Sequence, residues 1–280
     1  MVIRTNYHTH SKLDDGKDDL EDYVKEAVSK KFTQLGFSGH YHVDGVHWTM
    51  TRDEVAEYVD TVDDLKKKYN DRLIIQKGME VDYIPGIISP TSKEIRDLDL
   101  DYTIGSVHFI HDLEDKNQWP LGGTFESVSS GFERKFGGDI RKAVERFYEL
   151  VKEMVRYHTP SIVGHFDLVK IYSRGKYHFN EDMEWYRNLV HSALMEIDRK
   201  NCIIEINTGG ILRGKTDSIY PSEWVLKEIR ELNIPITVNS DAHRPADIDG
   251  YFAETEKILK IHGFDMIKIM SPSGWIDDPI

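Results

Sequence analysis

Short apolar runs rich in β-branched residues recur along the chain at Val2–Tyr7, Gln34–Ser38, Leu73–Val81, Tyr102–Phe109, Ile162–His165, Cys202–Asn207, Ile236–Asn239 and Ile267–Met270. Their length and composition are those of mostly buried strands. Helical patterns lie between several of them. Arg52–Tyr69 sets Val55, Tyr58, Val59, Val62, Leu65 and Tyr69 at helical spacing, with Asp63, Asp64, Lys66, Lys67 and Lys68 on its solvent side. Thr51 and Glu54 at its start have the spacing of a capping box. Further helices are predicted over Asp139–Tyr157, Asp182–Arg199, Pro221–Glu231 and Phe252–His262. Strand and helix alternate with no obvious boundary, which predicts parallel βα units of an α/β fold in one domain over residues 1–280. Seven or eight such units fit a closed TIM-like barrel better than two domains, and an open doubly wound sheet is the competing arrangement.

Composition narrows the function classes. The chain has 39% hydrophobic and 30% charged residues, as folded soluble proteins do. No apolar run approaches membrane-spanning length and no basic, hydrophobic leader precedes the first strand, so a cytoplasmic location without a membrane partner is expected. Against 36 Lys and Arg stand 49 Asp and Glu, and a net charge of -13 argues against nucleic acid as a partner. Cys202 is the single cysteine, which excludes an intrachain disulfide and a thiolate cluster and suits a small buried position. Two long connections, near 111–138 and 167–180, interrupt the rhythm. They are expected to be a lid or substrate wall, or else peripheral excursions.

Ligand-type residues gather where the runs end. The first run leads into His8-Thr9-His10, whose spacing puts both imidazoles on one face of an extended strand, and then to Asp15 ahead of Gly16. The second ends at His40 and His42, the third at Glu80 with Asp82 as a polar terminus, and the fourth at His108. The fifth ends at His165 and Asp167, and Asp241 and His243 follow the seventh. Strand C-termini of a barrel converge on one mouth, so His8, His10, Asp15, His40, Glu80, His108, His165, Asp241 and His243 are candidate metal ligands. Imidazole and carboxylate donors suit zinc, manganese or iron, and this many donors call for two or three divalent ions.

The ordered set His8-Thr9-His10, Asp15-Gly16, Gly39-His40, Gly78-Met79-Glu80, Gly105-Ser106-Val107-His108, Gly164-His165 and Ser240-Asp241-Ala242-His243 resembles the polymerase and histidinol phosphatase (PHP) superfamily over nearly the full chain. The resemblance implies a distorted (β/α)7 barrel with a multinuclear centre that hydrolyses phosphoesters. It implies one metal among His8, His10, Glu80 and Asp241, a second at His108, His165 and the shared Glu80, and a third at Asp15, His40 and His243. Gly105–Ile110 and Glu205–Gly210 look most like the stand-alone histidinol-phosphate phosphatases of that family, as do Arg213, Lys215, Tyr220 and Pro221. Ser38-Gly39-His40 departs from the Thr-Asp-His of many members and lacks their carboxylate beside His40.

The activity so implied is metal-dependent hydrolysis of L-histidinol phosphate, a small phosphorylated amino alcohol, to L-histidinol and inorganic phosphate in histidine biosynthesis. Hydrolysis of another small phosphoester or nucleotide is the alternative, and a nuclease or proofreading module or a noncatalytic metal scaffold fits less well. Arg213, Lys215 and Arg244 are expected to bind phosphate, Arg213 through its planar fork. His42 is expected to contact phosphate or protonate the departing alkoxide, with Asp241 and His243 as the other catalytic candidates. Asp167 is expected to orient His165 or a water. Asp112, Glu114 or Glu126 can face the substrate amine, and Trp119 or Phe132 can stack on its ring.

Overall fold

A computed structural model describes residues 3–111, 118–121, 132–173, 179–197 and 202–280. Seven strands form one parallel sheet in the order β1 (Thr5–Asn6), β2 (Gln34–Phe37), β3 (Ile74–Asp82), β4 (Tyr102–Ser106), β7 (Ile162–Val163), β8 (Ile203–Asn207) and β9 (Ile236–Asn239). The sheet curls into a nearly closed barrel. Beyond the ladder, Thr9 bridges Ala242 in parallel, the His10 amide donates to the Ala242 carbonyl at 2.9 Å, and the Ala242 amide donates to the His8 carbonyl at 3.1 Å. The seam therefore closes at the end of the barrel where His8, His10 and Asp241 emerge. Of the two arrangements the periodicity allowed, the barrel is the one adopted.

The barrel interior is divided along its axis. Its lower half holds Tyr7, Tyr102, Ile104, Ile162, Ile203 and Met270, all buried. Room for the Tyr102 ring comes from Gly36 and Gly78, since a Cβ on Gly78 would lie 2.2 Å from Tyr102 Cζ. The Tyr102 hydroxyl donates to the backbone carbonyls of Tyr7 and Phe37, so the plug also fixes β1 and β2. Above it the inward residues turn polar, with Glu80, Ser106, Glu205, Asn207 and Asn239 all buried. Buried polar groups must be paired or bound, so this half of the barrel is where chemistry is to be sought.

The helix Arg52–Lys68 starts at the expected capping box, with the Glu54 amide donating to Thr51 Oγ1 and the Thr51 amide to Glu54 Oε2. Helices at Ile140–Tyr157, Glu184–Leu194, Glu223–Glu231 and Phe252–Ile261 lie within the ranges anticipated. A helix at Leu20–Ser29 was not anticipated, although its buried Leu20, Tyr23, Val24 and Ala27 have helical spacing. Two runs depart from expectation. Tyr102–Phe109 breaks after Ser106, and Phe109–His111 (β5) pairs instead with Gln118–Pro120 (β6). Ile267–Met270 is no barrel strand: Met266–Ser271 (β10) forms an antiparallel hairpin with Gly274–Pro279 (β11). Its Met270 amide donates to the Tyr7 hydroxyl at 2.9 Å and its carbonyl accepts from Gln34 Nε2 at 2.8 Å, which caps the plug. Much of both long connections, 112–117, 122–131 and 174–178, lies outside the described residues, and so do Asp112, Glu114 and Glu126.

Candidate metal centre

Glu80 stands at the middle of the polar half. Its Oε2 lies 3.2 Å from His8 Nε2, 3.5 Å from His10 Nε2 and 3.1 Å from His40 Nδ1. Its Oε1 lies 3.0 Å from His165 Nε2 and 3.7 Å from His108 Nε2, and accepts from Ser106 Oγ at 2.6 Å. Five imidazoles from the ends of β1, β2, β4 and β7 thus surround one carboxylate. Asp241 Oδ1 lies 3.3 Å from His10 Nε2 and 3.8 Å from His8 Nε2, and Asp15 Oδ1 lies 3.1 Å from His243 Nε2 and 3.9 Å from His40 Nε2. All nine residues singled out by their place at strand ends are brought together. Asp241 is held in left-handed backbone at φ 52°, a conformation non-glycine residues seldom adopt and one that concentrates at functional sites.

Around these residues stands a layer that their spacing did not reveal. His8 Nδ1 is 2.6 Å from Glu205 Oε1, His10 Nδ1 is 2.6 Å from Asp14 Oδ2, and His108 Nδ1 is 3.0 Å from Asp82 Oδ1. A carboxylate only accepts, so each ring keeps its proton on Nδ1 and its neutral form offers the Nε2 lone pair to the centre. Asp14 also accepts from the Ser11 and His40 amides at 2.8 and 3.0 Å. It sits where Gly39 has no side chain: a Cβ there would be 3.3 Å from Asp14 Oδ2. The carboxylate missing beside His40 in the sequence is thereby supplied from a neighbouring loop.

The charge balance asks for cations. Burial opposes charge on His8, yet Glu205, Glu80 and Asp241 hold its pKa well above the ordinary imidazole value. His10, likewise buried, is raised to about 10 beside Asp14, whereas burial, reinforced by His10 and His108, takes His40 down to about 4. Burial is also outweighed at Glu80, held well below the usual range by His8, His40 and His108, and at Asp241, held down by Arg213 and His8. His8 Nε2, His10 Nε2, His40 Nδ1 and Asp15 Oδ1 are buried without a hydrogen-bond partner although each faces ligand-type atoms. Nitrogen and oxygen donors left open in this way fit divalent transition metals. A metal must displace the protons that His8 and His10 carry when metal-free, so its affinity rises with pH. Zinc titration of metal-free protein in buffers of different ionisation enthalpy should show net proton release at pH 7, and uptake without release would count against these ligands.

The remaining candidates divide. Arg213 donates from NH2 to Asp241 Oδ2 at 2.7 Å and from NH1 to the Asp241 carbonyl at 2.7 Å, so it turns the other carboxylate oxygen toward His8 and His10. Its side chain is still 30% exposed. Lys215 is exposed nearby, its pKa lowered by burial of its amine and by Arg213, while Arg244 is exposed just past His243. His42 is not brought to the cluster: its ring nitrogens face the Met50 carbonyl at 2.9 Å and Asp44 Oδ1 at 2.8 Å. Asp167 accepts from the Ser222 amide at 2.8 Å and lies 3.3 Å from Lys170 Nζ, so it fixes the 219–222 loop and does not orient His165. Phe132 is buried in the core and cannot stack on a substrate. With both nitrogens of His42 occupied, His42→Ala should lower kcat/KM by less than about tenfold, against the ~10²–10⁴ of a general acid. A larger loss in phosphate-release assays would restore His42 to the chemistry.

A family model of the PHP domain matches residues 6–209. The chain belongs to the PHP family. Among curated relatives, a histidinol-phosphatase of Bacillus subtilis is 28% identical over 255 residues, covering 85% of this chain and 91% of its own. A probable histidinol-phosphatase of Deinococcus radiodurans is 26% identical over 242 residues, covering 85% of each. The fold is shared with a putative histidinol phosphatase of Listeria monocytogenes at a TM-score of 0.77 and 23% identity, over 88% of this chain and 98% of that one. It is shared also with the histidinol phosphate phosphatase of Lactococcus lactis, solved with zinc, L-histidinol and phosphate, at a TM-score of 0.70 and 19% identity, over 99% and 100% of the two chains. The PHP barrel is thus the fold of this chain, and its nine clustered residues occupy the mouth of that barrel.

Proposed function

We propose that the protein is a metal-dependent phosphoric monoester hydrolase that converts L-histidinol phosphate to L-histidinol and inorganic phosphate, acting in the cytoplasm as a step of histidine biosynthesis. The observation that carries it is the sharing of Glu80 by five imidazoles, in a PHP chain whose curated relatives are histidinol-phosphatases. Among the described residues no helix is long and apolar enough to cross a membrane.

His8, His10, Glu80 and Asp241 would hold one ion, His108 and His165 with Glu80 a second, and Asp15, His40 and His243 a third. Zinc is favoured by the ion in the Lactococcus lactis protein, and manganese and iron suit the same donors. Such ions bring the pKa of water toward neutrality and offset the charge of phosphate oxygens. The chain's own part is placement. Glu205, Asp14 and Asp82 fix the three rings, Arg213 aims Asp241, and the exposed part of Arg213 with Lys215 places positive charge at the mouth for the phosphate. Phosphate release from matched histidinol phosphate, nucleotide, phosphodiester and aliphatic monoesters tests the substrate. The highest kcat/KM should fall on histidinol phosphate, and much stronger activity on another ester would overturn the assignment.

A further inference from the structure

The mouth of the barrel is polarised across its diameter. Arg213 and Lys215 follow β8 and crowd Asp241, at the end of β9, with positive charge. Aromatic rings gather on the far side. Trp48, in the loop after β2, has its ring centroid 4.8 Å from that of His40 and 5.6 Å from that of His108. It stacks on Phe109 at 5.5 Å with 10° between the ring planes. Trp48 is half-buried, whereas Phe109 is 2% exposed and backs it from the core. In the strand order β1-β2-β3-β4-β7-β8-β9, β3 lies between the strands that carry the aromatic pair, and the β8–β9 side lies half-way round the ring from it. A phosphoester over Glu80 has cations at one end and an indole at the other.

We propose that Trp48, backed by Phe109, is a specificity-determining residue that receives the organic group of the ester while the phosphate points toward Arg213 and Lys215. This rests on the phosphatase reading given above. Four bonds separate the ester oxygen of histidinol phosphate from its imidazole ring, a reach of about 5 Å from the reacting phosphate oxygen. That reach matches the margin at which Trp48 borders His40 and His108. Indole gains from a stacked or edge-on imidazole and from a cationic one, by amounts that an aliphatic group does not return. The ring-binding role that the sequence assigned to Trp119 or Phe132 thereby moves to Trp48.

The test compares wild type, Trp48→Ala, Trp48→Leu and Trp48→Phe on histidinol phosphate and on 2-aminoethyl phosphate, which keeps an amine and lacks the ring, with metal content measured in each preparation. The ratio of the two kcat/KM values should fall about tenfold in the Ala and Leu variants, the scale of one aromatic contact, and recover most of its value in Trp48→Phe. An unchanged ratio would overturn the proposal. So would loss of metal from the Ala and Leu variants alike, which would make Trp48 a support for His40. Should wild type prefer 2-aminoethyl phosphate, the substrate reading falls, and phenyl phosphate then replaces histidinol phosphate in the same ratio. A fall confined to the Ala and Leu variants would still support the aromatic role, and an equal loss on both esters would overturn it.

Discussion

Glu80→Gln should lower kcat for phosphate release about a thousandfold, which corresponds to about 4 kcal/mol of barrier, and should reduce the metal retained by the purified protein. The substitution conserves shape, so the barrel should fold. What it removes is the charge that both ends of the centre share, since Oε2 faces His8, His10 and His40 while Oε1 faces His165 and His108. An amide nitrogen placed toward either group of imidazoles cannot act as a ligand. Where Asp241 or Asp15 is lost, other donors of the same metal group remain, but every path between the first and second groups runs through Glu80. Elemental analysis with steady-state kinetics on one preparation checks this. Full occupancy and near-normal kcat would show that Glu80 does not bridge.

Glu205→Gln should weaken metal affinity by about 10–100-fold without removing any ligand. Each oxygen of Glu205 serves two donors: Oε1 faces His8 Nδ1 at 2.6 Å and Asn239 Nδ2 at 2.9 Å, and Oε2 accepts from the His165 amide and Asn207 Nδ2, both at 2.9 Å. Whichever way the glutamine amide is turned, its NH2 meets two donors in a fully buried site. The expected cost in stability is about 1–3 kcal/mol, the range for a buried polar group left unpaired. His8 also loses the carboxylate that fixes its tautomer and strengthens its Nε2 as a donor. Competition with a chromophoric chelator reads the affinity and thermal unfolding of the metal-free protein reads the stability. Unchanged values in both would reduce Glu205 to a bystander.

Why Glu205 escaped notice in the sequence is instructive. Within Cys202–Asn207 it is one polar residue in an apolar strand, six places along the sheet from His8 if the sheet is laid flat and two if it is closed. Periodicity predicted the strands and the mouth toward which their ends point, and this sufficed to gather His8, His10, Asp15, His40, Glu80, His108, His165, Asp241 and His243. It carried no information on which residues would stand behind the ligands. Asp14 and Asp15 are adjacent and chemically identical, and only the turn at Gly16, packed on Ser11, sends one to His10 Nδ1 and the other to His243. His42 shares the His-x-His spacing of His8 and His10, yet the loop after β2 turns it to Asp44. Ile267–Met270 reads as one more barrel strand because capping the barrel floor demands the same apolar character as lining it.

The most direct test of the centre is phosphate release from histidinol phosphate as metal is returned, equivalent by equivalent, to chelator-treated protein. Turnover should be absent at zero equivalents and climb until two or three ions are bound per chain. Full turnover in protein carrying less than one equivalent would contradict a shared metal centre around Glu80.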